Sequence, residues 1–507
     1  MSAPAYTGIT RWLVTLTVIL VAVVEVLDMT IVNVSLPNMM GTLGADTEQI
    51  TWILTSYVVS AAIFMPLTGF LVNRVGQKKL LLINIVGFLL TSTLCGLSNS
   101  LIEIVFFRIL QGVFGASLVP LSQIVLRDAF PIQEQGKAMA IWGVGIMVAP
   151  VLGPTLGGYI TEVLSWRWVF YINIPVCLFA FFMAWRLIIE NPTRQDKVDW
   201  IGLCLMAIGI GCLQIFLDRG NQDGWFSSHE IILYFIIWTT SLGLFLWRGL
   251  RINDNIVNLR LFQDYNFSSG CLLITLYSLG IFGVIALQPI LLEGYMHYNT
   301  ITAGLIMAPR GITSAIAMML VASWIRKYDP RYILAAGIFF SATGTLFMAQ
   351  HTLNASIFFM VWTTSIQGFG MGLFFVPLSV LAFSTLPKEA TAEGAGIFSF
   401  GRNLGISIGI SILSTTLTRE NQTNWNRLGS HIQPFNPNLT YWLNHQHWQL
   451  HDPLALQTLM DQLQGQAAVI AFNDVFWMVA LIFFALLPFI FVLKKPAYLI
   501  NFSEAAH

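Results

Sequence analysis

Glu25 and Asp28 stand inside an otherwise apolar run of residues, near 13–36. Their spacing puts both carboxylates on one face of a helix. An ionisable group inside a membrane-length apolar segment is costly to hold there and is a functional candidate by default. Two carboxylates crowded into a low dielectric favour keeping a proton between them, as a proton-carrying centre must. Arg108, in a second apolar run near 102–126, is the natural partner. At ~1.5 Å rise per residue, Asp28 lies ~6 Å and Arg108 ~9 Å outward of the middle of their runs, a similar depth. We therefore expect Asp28 to pair with Arg108, and protonation from outside to weaken the pair. The plainer alternative is a static buried ion pair. Arg310 and Arg402 also lie within apolar runs, where each would bind an anionic substrate or neutralise a neighbouring carboxylate.

These residues need helices to hold them, and the composition says which kind. Of 507 residues, 56% are hydrophobic and 10% charged, against roughly 25% charged in a soluble domain. Such a surface must face lipid. Lys+Arg and Asp+Glu balance at 25 each, so bulk charge makes no case for nucleic acid. Apolar runs long enough to span a bilayer lie near 13–36, 51–72, 80–98, 102–126, 137–161 and 168–189, then near 200–218 and 230–248. A last set lies near 267–291, 302–324, 332–350, 355–383, 395–417 and 469–493. The expected fold class is all-α and polytopic, with about fourteen spans. The first run contains Glu25 and Asp28 and lacks a small-residue cleavage site, so it is expected to be a retained span rather than a signal peptide. The cysteines Cys95, Cys177, Cys204, Cys212 and Cys271 all lie in apolar runs and suit packing rather than disulfides or metal.

Lys and Arg divide unevenly between alternate loops. With the N-terminus inside, the outer loops hold only Arg167, Arg219, Arg419 and Arg427, while the inner ones hold the large majority, including Arg74, Lys78, Lys79, Arg194, Lys197, Arg326 and Lys388. This bias predicts cytoplasmic N- and C-termini. The chain also repeats itself. Gln111-Gly112 followed by Val119-Pro120-Leu121-Ser122 recurs as Gln367-Gly368 followed by Val376-Pro377-Leu378-Ser379. Spans 1–6 thus pair with spans 9–14 in one orientation, giving expected units at 1–190 and 261–507 around an insert of two spans at 191–260. Parallel halves with a site between them are a transporter plan. In this register the position matching Arg108 is Thr364, which concentrates coupling in the first half. The segment 418–468, rich in Asn, Gln, His and Trp, is expected to be a long external loop; its His445, His447 and His451 suit solvated loop residues, and no metal site is expected.

Further motifs fall on particular spans. Span 1 ends with Leu27-Asp28-Met29-Thr30-Ile31-Val32-Asn33, and span 2 with Gly69-Phe70-Leu71-Val72-Asn73-Arg74-Val75-Gly76-Gln77-Lys78-Lys79. Span 4 carries Arg108-Ile109-Leu110-Gln111-Gly112. Span 5 carries Gly145, Pro150 and Gly153-Pro154-Thr155-Leu156-Gly157-Gly158, and span 6 opens on Trp166-Arg167-Trp168 and Asn173-Ile174-Pro175. In this order they resemble the major facilitator superfamily, in its fourteen-span drug/proton antiporter branch (EmrB/QacA type), over essentially the whole chain. The resemblance implies two six-helix bundles plus two extra central helices. It implies a proton-coupled antiporter in a bacterial inner membrane, exporting hydrophobic or amphipathic compounds by alternating access, with no cofactor beyond the proton gradient. It also implies a periplasmic adaptor and an outer-membrane channel as partners, for which 418–468 is the candidate contact.

The resemblance makes the loop of Gly69, Asn73, Arg74, Gly76 and Lys78 a latch between halves on the cytoplasmic side. It assigns the span 5 glycines and prolines to antiporters working in the export direction; their sequence physics gives a thin, kinkable helix able to pack closely and rock. The family pattern has Asp where this chain has Asn73, so the acidic half of an ionic latch is missing here. A dedicated exporter of one metabolite or siderophore is the alternative on the same fold. An enzyme is not expected: no H-E-x-x-H, G-x-S-x-G or G-x-x-x-x-G-K-[ST] pattern is present. A non-transporting receptor is disfavoured by Asp28 and Arg108. If Asp28 must carry charge, Asp28→Glu retains transport and Asp28→Asn abolishes it; proton coupling intact in Asp28→Asn would remove this residue from the mechanism.

Overall fold

The computed structural model describes residues 6, 8–46, 49–190, 193, 199–251, 257–325, 327–387, 390–433, 435–445 and 452–494. Arg194, Lys197, Arg326, Lys388, His447 and His451 lie outside them. The described residues form long helices and no strand. The first six are α1 (Gly8–Leu43), α2 (Gln49–Val75), α3 (Gln77–Leu97), α4 (Leu101–Ala129), α5 (Ile132–Val163) and α6 (Trp168–Leu187). Then come α7 (Trp200–Arg219) and α8 (His229–Arg251). The last six are α9 (Tyr265–Tyr295), α10 (Thr300–Trp324), α11 (Pro330–Met348), α12 (Ile357–Phe383), α13 (Thr391–Gly429) and α14 (Pro453–Leu486). Among the described residues, 13 helices are long and apolar enough to cross a membrane. The remaining helix, α5, has 32 residues, runs beside α1 and α10, and completes a bundle of fourteen.

Polar residues stop and start these helices where the chain leaves the apolar layer. Ser100, Asp199, Asp264, Asn299, Asp329 and Ser356 each accept a backbone N–H from the first turn of the helix that follows. Outward-facing residues such as Leu90, Phe182, Leu244, Ile316 and Phe358 are exposed, as a lipid-facing surface requires. The protein is an integral membrane protein.

The expected long loop at 418–468 is mostly helix. α13 continues to Gly429, a short helix covers Pro437–His445, and α14 begins at Pro453. The sequence expectation ended spans where apolarity ended, but a helix can run on into water when its neighbour does the same. Leu439, Leu443 and Ala455 form a small core there with Ile432, Trp442 and Leu459.

α1–α6 pack on one another, as do α9–α14, while α7 pairs with α8 and rests on α2 and α13. Arg248 at the end of α8 forks onto Asp199 before α7, with Nη2 to Oδ1 at 2.9 Å. These hydrogen bonds hold the Asp199 carboxyl below its usual range. Because the folded value is depressed, the clasp contributes fully above the unfolded carboxyl value of about pH 4 and is lost as pH falls from there through the lower folded value.

The internal repeat appears as repeated close packing. α5 meets α1 through Gly145, Gly153 and Gly157, and α13 meets α9 through Gly401, Gly405 and Gly409. Likewise Gly112 of α4 lies on the Tyr57 and Ser60 turn of α2, while Gly368 of α12 lies on Arg310 of α10. A Cβ at Gly405 would collide with the Thr275 carbonyl, whereas one at Gly211 would find its nearest neighbour at 3.6 Å. Gly405→Val should therefore cost about 1–3 kcal/mol, measured as a lower unfolding midpoint in detergent, with Gly211→Ala close to wild type.

Candidate functional site

The chemistry-bearing residues of the first half meet where α1, α2, α4 and α6 converge. Asp28 and Arg108 form an ion pair at 2.5 Å, with side chains 0% and 1% exposed. Asp28 Oδ1 accepts from Gln111 Nε2 at 3.1 Å and from Asn173 Nδ2 at 2.9 Å. Arg108 donates further to Gln111 Oε1 at 2.8 Å and, through Nε, to the Ile53 carbonyl at 3.1 Å. Its guanidinium also lies over the Tyr57 ring, 4.2 Å from the centroid. Asn173 is held in turn by Ser92, whose hydroxyl donates to the Phe170 carbonyl. This is a nearly complete shell for one buried pair. Such charges are tolerated in an apolar interior only when paired and hydrogen-bonded.

Glu25, one turn earlier on α1, is 3% exposed and joins none of these bonds. Arg402, on α13 in the other half, lies within electrostatic reach of it, and among the described residues the two form no direct ion pair. Arg310 is 4% exposed in the second half. It donates through Nη2 to Gln288, whose amide donates to Thr364 at 3.2 Å, and its Nε has no partner. The structure thus brings Asp28 and Arg108 together, leaves Glu25 outside that network within electrostatic reach of Arg402, and puts Arg310 with amides and hydroxyls. Among the described residues no group of three His, Cys, Asp or Glu could hold a metal.

The fold around this network has the two-bundle repeat, and a family model for the major facilitator superfamily matches residues 18–410. The chain belongs to the major facilitator superfamily. It is 36% identical over 489 residues to the multidrug export protein EmrB of Escherichia coli strain K12, covering 96% of this chain and 95% of that one. It is 34% identical over 499 residues to the fatty acid resistance protein FarB of Neisseria gonorrhoeae, covering 98% of each. Among solved structures it is similar to the human organic anion transporter MFSD10 (TM-score 0.61, 13% identity, covering 93% of this chain and 99% of that one). It is likewise similar to the proton:xylose symporter XylE (TM-score 0.58, 14% identity, covering 95% and 97%). At those identities the solved structures speak for the fold alone. The superfamily is one of transporters, and the relatives lie in its EmrB branch.

Between the halves of this superfamily fold, close contacts gather on the side where α1 begins. A Cβ at Gly69 would collide with the Glu393 backbone at the start of α13. Asn73 Nδ2 donates to Glu393 Oε1 at 3.1 Å. The carboxylate missing at position 73 is therefore supplied from the other half, and the bond is amide to acid rather than an ion pair. Arg127 at the end of α4 lies over the Phe383 ring at 3.6 Å and donates to the Ser379 carbonyl at 3.4 Å. On the opposite seam, Gly136 and Gly143 of α5 meet Ile325 and Met318 of α10.

Gly76 adopts φ 96°, and a Cβ there would strike Glu190, which accepts the Lys78 and Lys79 amides at 3.1 and 3.2 Å. Arg74 is exposed. Gly158 has only Val34 nearby, at 3.8 Å, and α5 runs as helix through Pro150 and Pro154, whose side chains lie outside the described residues.

Sequence reasoning missed Gln111, Asn173 and Glu393 as partners. Gln111 had a signal, since it opens the repeated Gln-Gly pair, and Asn173 stood within the span 6 motif; Glu393 had none. If the Asn73–Glu393 bond holds this side shut, Asn73→Asp sets two carboxylates together and loosens it. In a cysteine-free background, Ser379→Cys should then react several-fold faster with a membrane-impermeant thiol reagent applied to that side; an unchanged rate would remove the latch.

Proposed function

We propose that this chain is a proton-coupled antiporter that exports hydrophobic or amphipathic compounds, with the buried carboxylates Glu25 and Asp28 of α1 forming its coupling centre. Its membership of the superfamily and its identity to multidrug export proteins support efflux as the activity. The observation that carries the coupling is the Asp28–Arg108 pair, sealed in the protein interior one helical turn from the buried Glu25. An ionisable group held inside a membrane-spanning helix is costly to keep there and marks a functional site by default. In alternating access the two ends of the α2–α13 and α5–α10 seams open in turn, one towards each side of the membrane, and the glycines of α5 and α13 give those helices smooth faces to move on. The proton gradient is the energy source, and no cofactor takes part.

The bacterial relatives support an inner-membrane location. The Lys and Arg bias supports termini on the cytoplasmic side, which makes the Asn73–Glu393 side cytoplasmic. The extension built from α13, α14 and the helix Pro437–His445 then projects into the periplasm as the contact for an adaptor leading to an outer-membrane channel. A dedicated exporter for one compound class is the second reading, kept because FarB is named for resistance to fatty acids.

Inside-out vesicles with an acid interior and a pH-sensitive dye test both readings. Lipophilic cations, weak acids and neutral drugs are added in turn to wild-type and Asp28→Asn vesicles. Gradient dissipation by several unrelated compounds, in wild type only, is the expected result. Dissipation by a single class favours the dedicated exporter, and none on a broad panel with inserted protein removes multidrug antiport.

A further inference from the structure

Asp28 and Glu25 share one stretch of α1 but have opposite surroundings. Asp28 is met by donors alone: Arg108 on Oδ2, and the amides of Gln111 and Asn173 on Oδ1. A guanidinium has no acceptor to offer. Neither amide can turn its oxygen towards Asp28 without loss. Gln111 Oε1 is occupied by Arg108, and Asn173 Nδ2 also donates to Ser92 Oγ, whose hydrogen goes to the Phe170 carbonyl. A proton on Asp28 would have no acceptor among these groups and would leave buried donors unsatisfied.

Among the described residues, Glu25 accepts no hydrogen bond and joins no ion pair, although it is nearly as deeply buried. The charged or titratable groups acting on it are Arg402 from α13, Asp28 on its own helix and Tyr57 from α2. The Tyr57 hydroxyl is buried and has no partner. Of the other helices packed on α1, α4 offers Arg108, which is bonded to Asp28, α6 offers the buried thiol of Cys177, and α5 sets Gly145 and Gly153 against the turns on either side of Glu25.

We propose that the transported proton binds and leaves at Glu25, with Arg402 of the opposite half as its counter-charge, while Asp28 stays ionised in the grip of Arg108, Gln111 and Asn173. This rests on the antiport reading above and assigns its work within the site. The Glu25 carboxylate takes H⁺ from water on one side, becomes the neutral acid, and returns H⁺ to water on the other; no other bond changes. While Glu25 is ionised, Arg402 draws α13 towards α1 across a low-dielectric gap, where a unit charge acts over several ångströms. Protonation removes that attraction and so biases how the halves rock. Gln111 and Asn173 are positioning residues.

The test is infrared titration of the purified full-length protein in detergent, following the protonated-carboxyl C=O band across the pH range in which the protein stays folded; it needs neither substrate nor transport, so its outcome is separate from that of the vesicle assay. The expected result is a titrating band lost in Glu25→Gln and kept in the charge-neutral double variant Asp28→Asn with Arg108→Gln, which spares the fold an unpaired arginine. Arg402→Gln should move the midpoint of that band to higher pH, and Arg402→Lys should restore it. Asn173→Ala should add a second titrating band as Asp28 is freed. A band that survives Glu25→Gln, that disappears in the double variant, or that is absent from wild type overturns the proposal, as does a midpoint indifferent to Arg402.

Discussion

Carrying a carboxylate and a guanidinium out of water to the middle of a membrane protein costs several kcal/mol per ion unless each is paired and its remaining hydrogen-bonding positions are filled. Much of the first half can be understood from that constraint. Gly112 brings α4 against α2, so that Arg108 reaches a backbone carbonyl as well as Asp28. Asn173 arrives from α6, fixed by Ser92 of α3. Four helices are thereby tied to one carboxylate, and removing either ion alone would leave the other uncompensated, at a cost of about 3–5 kcal/mol.

The two halves repeat their packing but not their charge. Glycines on α5 and α13, and on α4 and α12, serve equivalent close approaches. The polar interior of the second half is built from Gln288, Thr364 and Arg310, and its arginine is bonded by an amide rather than a carboxylate. Close packing depends on small residues at helix crossings and survives divergence between the halves; a charge network depends on a few side chains and is lost with any one of them. That asymmetry leaves the buried acids Glu25 and Asp28 in the first half, with Arg310 and Arg402 in the second.

Movement between the halves calls for contacts that hold without locking. On the side where α1 begins, the contacts among the described residues include an amide-to-carboxylate bond, an arginine over a phenylalanine ring and glycine-lined helix faces. None is a buried ion pair, and each can be exchanged for water at small net cost. α7 bridges the same pair of helices on the opposite side: Ser411 of α13 donates to the Leu217 carbonyl, and Thr55 of α2 donates to Asp218. The inserted helices thus lie along the α2–α13 seam rather than at the edge of either half.

Apolar runs, the Gln-Gly repeat and the placement of Glu25, Asp28 and Arg108 were legible in the chain because a bilayer imposes its thickness on sequence and makes any buried charge conspicuous. The same rule misjudged 418–468, since polarity marks where lipid ends and not where a helix ends. The sequence determined which residues were candidates for chemistry and which helices carried them. Only the tertiary structure decided their partners: that Asp28 is enclosed by Gln111 and Asn173, that Glu25 stays outside that network, and that Glu393 supplies the acid absent at Asn73. Those pairings join residues tens to hundreds of positions apart, and no local spacing encodes which faces of two helices will meet once glycines let their backbones approach.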